Sequence, residues 1–160
     1  MQGVNIICLG RLKESYLRDA CKEYEKRLGG SCVLKIYELE PVALPNEPSD
    51  RQIEDALEKE AEMIEKKLAK NALTVAMCIE GKQLSSEELA AKLSDTAGGG
   101  GGGGGGVIGS SFGLAPKIKA MADIKLSMSK MTFPHQLARV MLLEQIYRAY
   151  SIIAGKRYHK

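Results

Sequence analysis

Stretches with the composition of buried strands alternate with stretches that favour helix along most of this chain, and that alternation limits the folds open to it. "VNIICLG" (Val4–Gly10) reads as an almost continuous apolar run of strand length. "ESYLRDACKEYEKRLGG" carries apolar positions at helical spacing and is stopped by Gly29 and Gly30. "VLKIYEL" (Val33–Leu39) returns to strand character, giving a β-α-β start. Pro41, Pro45 and Pro48 break the connection that follows. Asp50 stands where it can cap a charged helix to about Lys70, whose charges read as a solvated face. The pattern resumes with a strand in "ALTVAMCI" (Ala72–Ile79) closed by Gly81. Ser85 and Glu88 have capping-box spacing for a helix through Leu93.

A strand is due next, and the sequence supplies nine consecutive glycines, Gly98–Gly106. Polyglycine has no side chains to pack and the largest ordering entropy, so it is a poor buried strand. A linker reading also fails, because too little chain lies beyond the run to build a second core. The run reads better as standing in for residues of unassigned identity. "VIGSSFGL" then gives a strand-to-turn pattern. A short helix over about Pro116–Met121, a strand in "DIKLSMS" and a helix from Pro134 or His135 to about Tyr150 complete the chain. Five strands alternating with helices predict an α/β fold with a mostly parallel sheet and helices on both faces. The 160 residues, 44% of them apolar, fit one domain over 1–160.

Several classes are disfavoured at this point. The amino-terminal "MQGVNIICLGRLK" turns polar too soon for a signal peptide, and no run approaches the roughly 20 apolar residues of a membrane span. The expectation is a cytoplasmic protein without membrane contact. Cys8, Cys21, Cys32 and Cys78 are dispersed and lack metal-ligand spacing, so they read as reduced structural thiols and no metal is expected. A formal charge of +3 demands that any polyanion be met by a local patch.

In parallel sheets ligands sit beyond the carboxyl ends of strands. Three segments fall there: Met77–Gly81, Gly109–Gly113 and Met128–Phe133. Singly each has a plain structural reading, Met77 as core, Gly109 and Gly113 as a tight turn without dinucleotide or P-loop spacing, and His135 as the start of a helix. Only together do they suggest a site. The last helix carries Leu137, Val140, Met141, Leu142, Leu143, Ile146, Tyr147 and Tyr150, an apolar surface wider than one stripe. One face can pack on the sheet and another calls for a partner, most economically a second copy.

"SKMTFPHQLARVMLLEQIYRAY" and the terminal "YHK", with "ICLGRLKESYLRDACKEYEKRL", "EGKQLSSEE" and "VIGSSFGL", closely resemble the RlmH family of ribosomal large-subunit pseudouridine N3-methyltransferases, of the SPOUT class. The resemblance covers nearly the whole chain. It implies a homodimer with a carboxyl-terminal trefoil knot, S-adenosyl-L-methionine as donor (leaving S-adenosyl-L-homocysteine), and N3 of a pseudouridine in large-subunit (23S) rRNA, within the assembled ribosome, as acceptor. The family's donor-contacting positions fall on Met77, Gly109, Met128, Ser129, Lys130, Met131, Thr132 and Phe133. Ser110 stands where the family usually has Gly.

Transfer from a sulfonium needs alignment and exclusion of water, and a group to take the imide proton. His135 and His159 are the candidate bases, with Arg139 and Tyr158 as further candidates for the reaction centre. Arg148, Lys156, Arg157 and Lys160 form a candidate phosphate-binding edge on which Tyr158 can stack a base. A non-catalytic nucleotide-binding α/β module and a ribosome-associated interaction protein are the alternatives these residues leave open.

Overall fold

The computed structural model describes residues 1–98 and 103–159. Five strands, β1 (Gln2–Leu9), β2 (Cys32–Leu39), β3 (Leu73–Lys82), β4 (Gly103–Ile108) and β5 (Ile124–Leu126), form one sheet in the order β2-β1-β4-β3-β5. Every pairing is parallel. The strands' carboxyl ends therefore share one edge. Five helices connect them: α1 (Ser15–Leu28), α2 (Asp50–Glu65), α3 (Ser86–Gly98), α4 (Pro116–Met121) and α5 (His135–Ile153).

The helices cover both faces, as the strand sequences require, since β1 buries successive residues Ile6 to Leu9 rather than alternate ones. Val4, Ile6 and Cys8 point into a core made with α1, α3 and α5, where Leu28, Ala90, Leu93, Leu142, Leu143 and Ala149 meet. Ile7 and Leu9 point the other way, against Ala61 and Ile64 of α2 and Ile118 of α4. The apolar surface of α5 divides accordingly: Leu142, Leu143, Ile146 and Tyr150 are buried, Val140, Met141 and Tyr147 are half-buried, and Leu137 is exposed.

Four sequence expectations are corrected. Ser49, not Asp50, caps α2: its hydroxyl accepts from the Gln52 amide while the Gln52 side chain accepts from the Ser49 amide, a complete capping box. This helix stops at Glu65, short of Lys70. Ser85 and Glu88 form the expected reciprocal pair at α3, which continues beyond Leu93 to Gly98. The larger correction concerns glycine. Gly103–Gly106 belong to β4, a central strand laddered to β1 on one side and, through Gly104–Gly106, to β3 on the other. Hydrogen-bond ladders on both sides compensate for the absent side chains, and Leu93, Leu142 and Ile6 close over the backbone. The other glycines of the run that fall at 99–102 lie outside the described residues.

Candidate functional site

A cavity of about 640 Å³ opens at the carboxyl ends of β3, β4 and β5, with the first turn of α5 as its fourth side. Each wall has a local cause. β3 and β5 are in register to Met77↔Leu126, after which Lys82 also faces Leu126, so residues 78–81 swing out of the sheet as a bulge. That bulge presents Cys78, Ile79 and Glu80 to the cavity, beside Met77 at the end of the paired strand. The chain rejoins β5 at Lys82, and just before it a Cβ on Gly81 would lie 2.6 Å from the carbonyl oxygen of Lys125, so a side chain is excluded.

The second wall is the turn after β4. The Gly113 amide donates to the Ser110 carbonyl at 2.9 Å, and a Cβ on Gly109 would stand 2.3 Å from the Gly113 oxygen. Gly109 is thus required by close backbone approach. Ser110 accommodates its side chain by turning the hydroxyl toward Oε1 of Glu60, 3.4 Å away. Ser111 and Phe112, at the tip of the turn, line the cavity.

The third wall is the bend from Ser127 to Pro134. The Ser127 amide donates to the Lys82 carbonyl (3.0 Å), its hydroxyl to the Ser129 carbonyl (2.9 Å), and the Met131 amide to the Ser129 hydroxyl (3.1 Å). These serine bonds fix an irregular backbone as asparagine or serine turns do. Pro134 then takes the N-cap of α5 with an extended conformation and contributes no side-chain cap. First-turn N–H groups of α5 consequently remain available at the cavity's edge, at the positive end of the helix.

Most of the residues predicted to hold the donor are brought together here. Met77, Gly109, Met128, Ser129, Met131, Thr132 and Phe133 all line the cavity, whereas Lys130 is exposed outside the lining. His135 lines it too. Burial pushes the His135 imidazole below its ordinary value of 6.5, and the charges of Arg139 and Lys13 act in the same direction. At neutral pH it is therefore an unprotonated acceptor. Burial likewise raises the Cys78 thiol, which keeps it protonated and a weak nucleophile. At the mouth Lys119 pairs with Glu80 and holds that carboxyl below its usual range. Ile79, Phe112 and Met131 give the mouth an apolar rim.

The remaining predicted residues lie elsewhere. Arg139 is only 5% exposed and its guanidinium is engaged inward, with Oε2 of Glu38 (2.6 Å) and the Gly10 carbonyl (3.0 Å). The tail packs back on α5. Tyr158 sits edge-on to Tyr147 and under the guanidinium of Arg148, each at 4.7 Å. Arg148 is paired with Glu144, and His159 stands between Arg148 (3.2 Å) and Glu87 (2.6 Å). None of Arg148, Lys156, Arg157, Tyr158 or His159 lines the cavity, and Lys160 falls outside the described residues. Lys156 and Arg157 are exposed. Glu144 instead borders a second hollow of about 380 Å³, formed with Tyr24, Ser85, Val140 and Met141.

Sequence reasoning missed Glu80, Lys119 and Glu60, and treated Ser110 only as a departure. Bulge position and helix-face burial decide these residues, and neither has a signature in spacing. Among the described residues no group of three His, Cys, Asp or Glu side chains is placed to hold a metal ion. No described helix is long and apolar enough to cross a membrane.

A parallel sheet with a cavity at its carboxyl edge, closed by a serine-rich bend leading into the last helix, defines an α/β protein with its candidate ligand site where such sheets hold theirs. The chain belongs to the SPOUT methyltransferase family: the family model described as "Predicted SPOUT methyltransferase" matches residues 2–159. It is 51% identical over 157 residues to the ribosomal RNA large subunit methyltransferase H of Bifidobacterium adolescentis, covering 98% of this chain and 99% of that one. Identity to the protein of the same name from Clostridium beijerinckii is 47% over the same shares of both chains. Among solved structures, a probable methylase family protein from Haemophilus influenzae superposes with a TM-score of 0.55 at 14% identity, over 98% of this chain and 70% of that one, a likeness of fold.

Proposed function

We propose that the protein transfers a methyl group from S-adenosyl-L-methionine to N3 of a pseudouridine in large-subunit ribosomal RNA. The observation that carries this reading is the convergence of seven resemblance-implied donor positions on one cavity of about 640 Å³, in a chain 51% identical to a named large-subunit rRNA methyltransferase. The cavity's chemistry fits the donor: half-buried Met77 and Phe133 offer apolar walls, and the bend offers backbone N–H and C=O groups able to read an adenine edge. The α5 N-terminus is suited to a carboxylate. When bound, the donor supplies a methyl already made electrophilic by its sulfonium, so no metal is needed.

The chain's own residues have three tasks. The bend and the Ser110–Gly113 turn fix the donor's position, and the apolar rim excludes water from the line of attack. His135, neutral and in the cavity wall, accepts the imide proton at a ring nitrogen as the new bond forms. The assignment falls on His135 rather than His159 because His159 is bound to Glu87 and lies outside the lining. Arg139 is a positioning residue that ties α5 to the ends of β1 and β2.

A second copy is proposed to cover the outer side of α5, where Leu137, Val140 and Met141 are left partly exposed, in keeping with the homodimer and the knotted carboxyl-terminal part that the resemblance implies. Lys156, Arg157 and Lys160 would then meet rRNA phosphate. Purified protein incubated with methyl-labelled donor and 23S rRNA, free and in ribosomes, tests the reading. Label in N3-methylpseudouridine is expected. A folded protein that binds donor and labels no rRNA would refute the assigned acceptor, and one that binds no donor would refute the reading altogether.

A further inference from the structure

α2 carries seven carboxylates, and six of them, Asp50, Glu54, Asp55, Glu58, Glu62 and Glu65, are exposed or half-exposed. Glu60 differs: it is 4% exposed, beside Ala61 and Ile64, which pack against the strands. An ionised carboxylate buried in that position is costly unless its oxygens are satisfied. Two groups do so. Oε2 accepts from the Val42 amide at 2.9 Å, and Oε1 accepts from the Ser110 hydroxyl at 3.4 Å. Burial raises this carboxyl and the same two hydrogen bonds oppose the rise, without contribution from any charged side chain.

For stability alone the choice is a poor one. An apolar side chain of similar volume would pack against the Ile7, Leu9 and Ile64 cluster without a desolvation penalty. What the carboxylate achieves is a connection between two segments far apart in the chain. Val42 belongs to the proline-rich connection between β2 and α2, and Ser110 opens the turn whose tip, Ser111 and Phe112, forms a wall of the donor cavity. The turn's internal bond, from the Gly113 amide to the Ser110 carbonyl, fixes its shape, while Glu60 fixes where that shape sits on the sheet edge.

We infer that Glu60 is a positioning residue for the donor site: from the helix layer beneath, its carboxylate holds Ser110 and so sets the Gly109–Gly113 wall. This inference rests on the reading of that cavity as the donor site. The Ser110 hydroxyl is the group through which the hold operates.

The test measures S-adenosyl-L-homocysteine affinity by calorimetry, and thermal stability in parallel, for Ser110→Ala, Glu60→Gln, Glu60→Leu and the double variant with Ser110→Ala and Glu60→Leu. Ser110→Ala removes one hydroxyl from a half-exposed turn and should weaken binding about threefold, with Glu60→Leu weaker by about tenfold, the range a lost hydrogen bond spans. Glu60→Gln keeps an acceptor for Val42 and a partner for Ser110, and should restore affinity to within about twofold. In the double variant the second change should add less than it does alone, since both cut one connection.

Loss of thermal stability with unchanged affinity in Glu60→Leu would overturn the inference, as would additivity in the double variant. Should Glu60→Leu not fold, Glu60→Ala takes its place, since Ser110 itself lines the cavity: unchanged affinity overturns the proposal and weakened affinity supports it. Absence of binding by the unaltered protein would instead refute the donor reading itself.

Discussion

Strand β4 makes a sharp test of how the sheet tolerates its glycines, because neighbouring positions face opposite environments. Gly104 is buried on the α3–α5 side, beside an apolar hollow of about 30 Å³ lined by Val4, Leu93, Leu142 and Ala149. A Cβ there would meet the Cδ1 methyl of Leu93 at 3.2 Å, a contact relieved by a few tenths of an ångström of side-chain movement. Gly104→Ala restricts the unfolded chain, worth about 0.4–1 kcal/mol. It also buries one methyl, worth about 0.8 kcal/mol. Against a small repacking cost, the net should be about 1 kcal/mol of added stability, or roughly 2–4 °C in Tm for a domain this size. Gly105 points to the other face, where its Cβ would lie 2.9 Å from the backbone carbonyl of Asn5, the residue it pairs with in β1. Backbone in a ladder cannot yield as a side chain does. Gly105→Ala should destabilise by about 2 kcal/mol, within the range of overpacking. Urea and thermal denaturation of the two variants, with unchanged urea dependence as the control for two-state behaviour, measure the difference. The reasoning is refuted if both shift the same way, or if Gly104→Ala lowers stability by as much as Gly105→Ala.

Arg139→Met should lower stability by about 2–3 kcal/mol, since it orphans the Gly10 carbonyl and removes a pair whose carboxylate, 38% exposed on Glu38, is partly screened; denaturant midpoints check this, and Glu38→Gln should do less harm. His135 has a depressed folded value, so the unfolded state takes up its proton first as pH falls below 6.5, and stability declines with acid from there; in His135→Asn that part of the decline, followed by Tm against pH, should be absent. The same variant should slow methyl transfer at saturating RNA and donor while leaving donor affinity within about twofold, as expected for a proton acceptor. Neutralising Lys156, Arg157 and Lys160 should weaken rRNA binding and flatten its salt dependence with donor affinity unchanged, read from titrations at several salt concentrations.

Legibility of the fold in the sequence followed where burial is two-sided. β1 has a continuous apolar run closed by Gly10, β2 has a strand-like run, and α1 between them has a periodic face stopped by Gly29 and Gly30, so the parallel α/β class could be read from the sequence. β4 could not be read this way, since side-chain pattern is the signal and four of its six residues have none. Its place is dictated by its neighbours: β1 and β3 each present an unpaired edge, and a backbone able to ladder with both fills the gap whatever side chains it lacks. The Asp50 assignment failed more locally. Ser49 and Asp50 are both capping residues, and Gln52 three positions after Ser49 decides between them.

The site was legible to the extent that it is made of consecutive chain. Met128, Ser129, Met131, Thr132 and Phe133 act through a bend that local serine bonds hold, and a contiguous motif carries them. Lys130, in the middle of that motif, turns outward, because an extended or turning backbone aims neighbouring side chains in opposite directions. Residues supplied across the fold are another matter. Glu60 lies 50 positions from Ser110 and on a helix whose charges read as solvated, and its burial depends on the angle at which α2 packs on the sheet. Arg139 lies 101 positions from Glu38, and only the folded register of β1, β2 and α5 turns a helix-start arginine inward. Both pairs join a layer of helix to a loop or strand end at the carboxyl edge of the sheet. Long-range polar contacts of this kind are paid for by burial on one side and positioned by packing on the other, so a single sequence carries the partners' identities without their pairing.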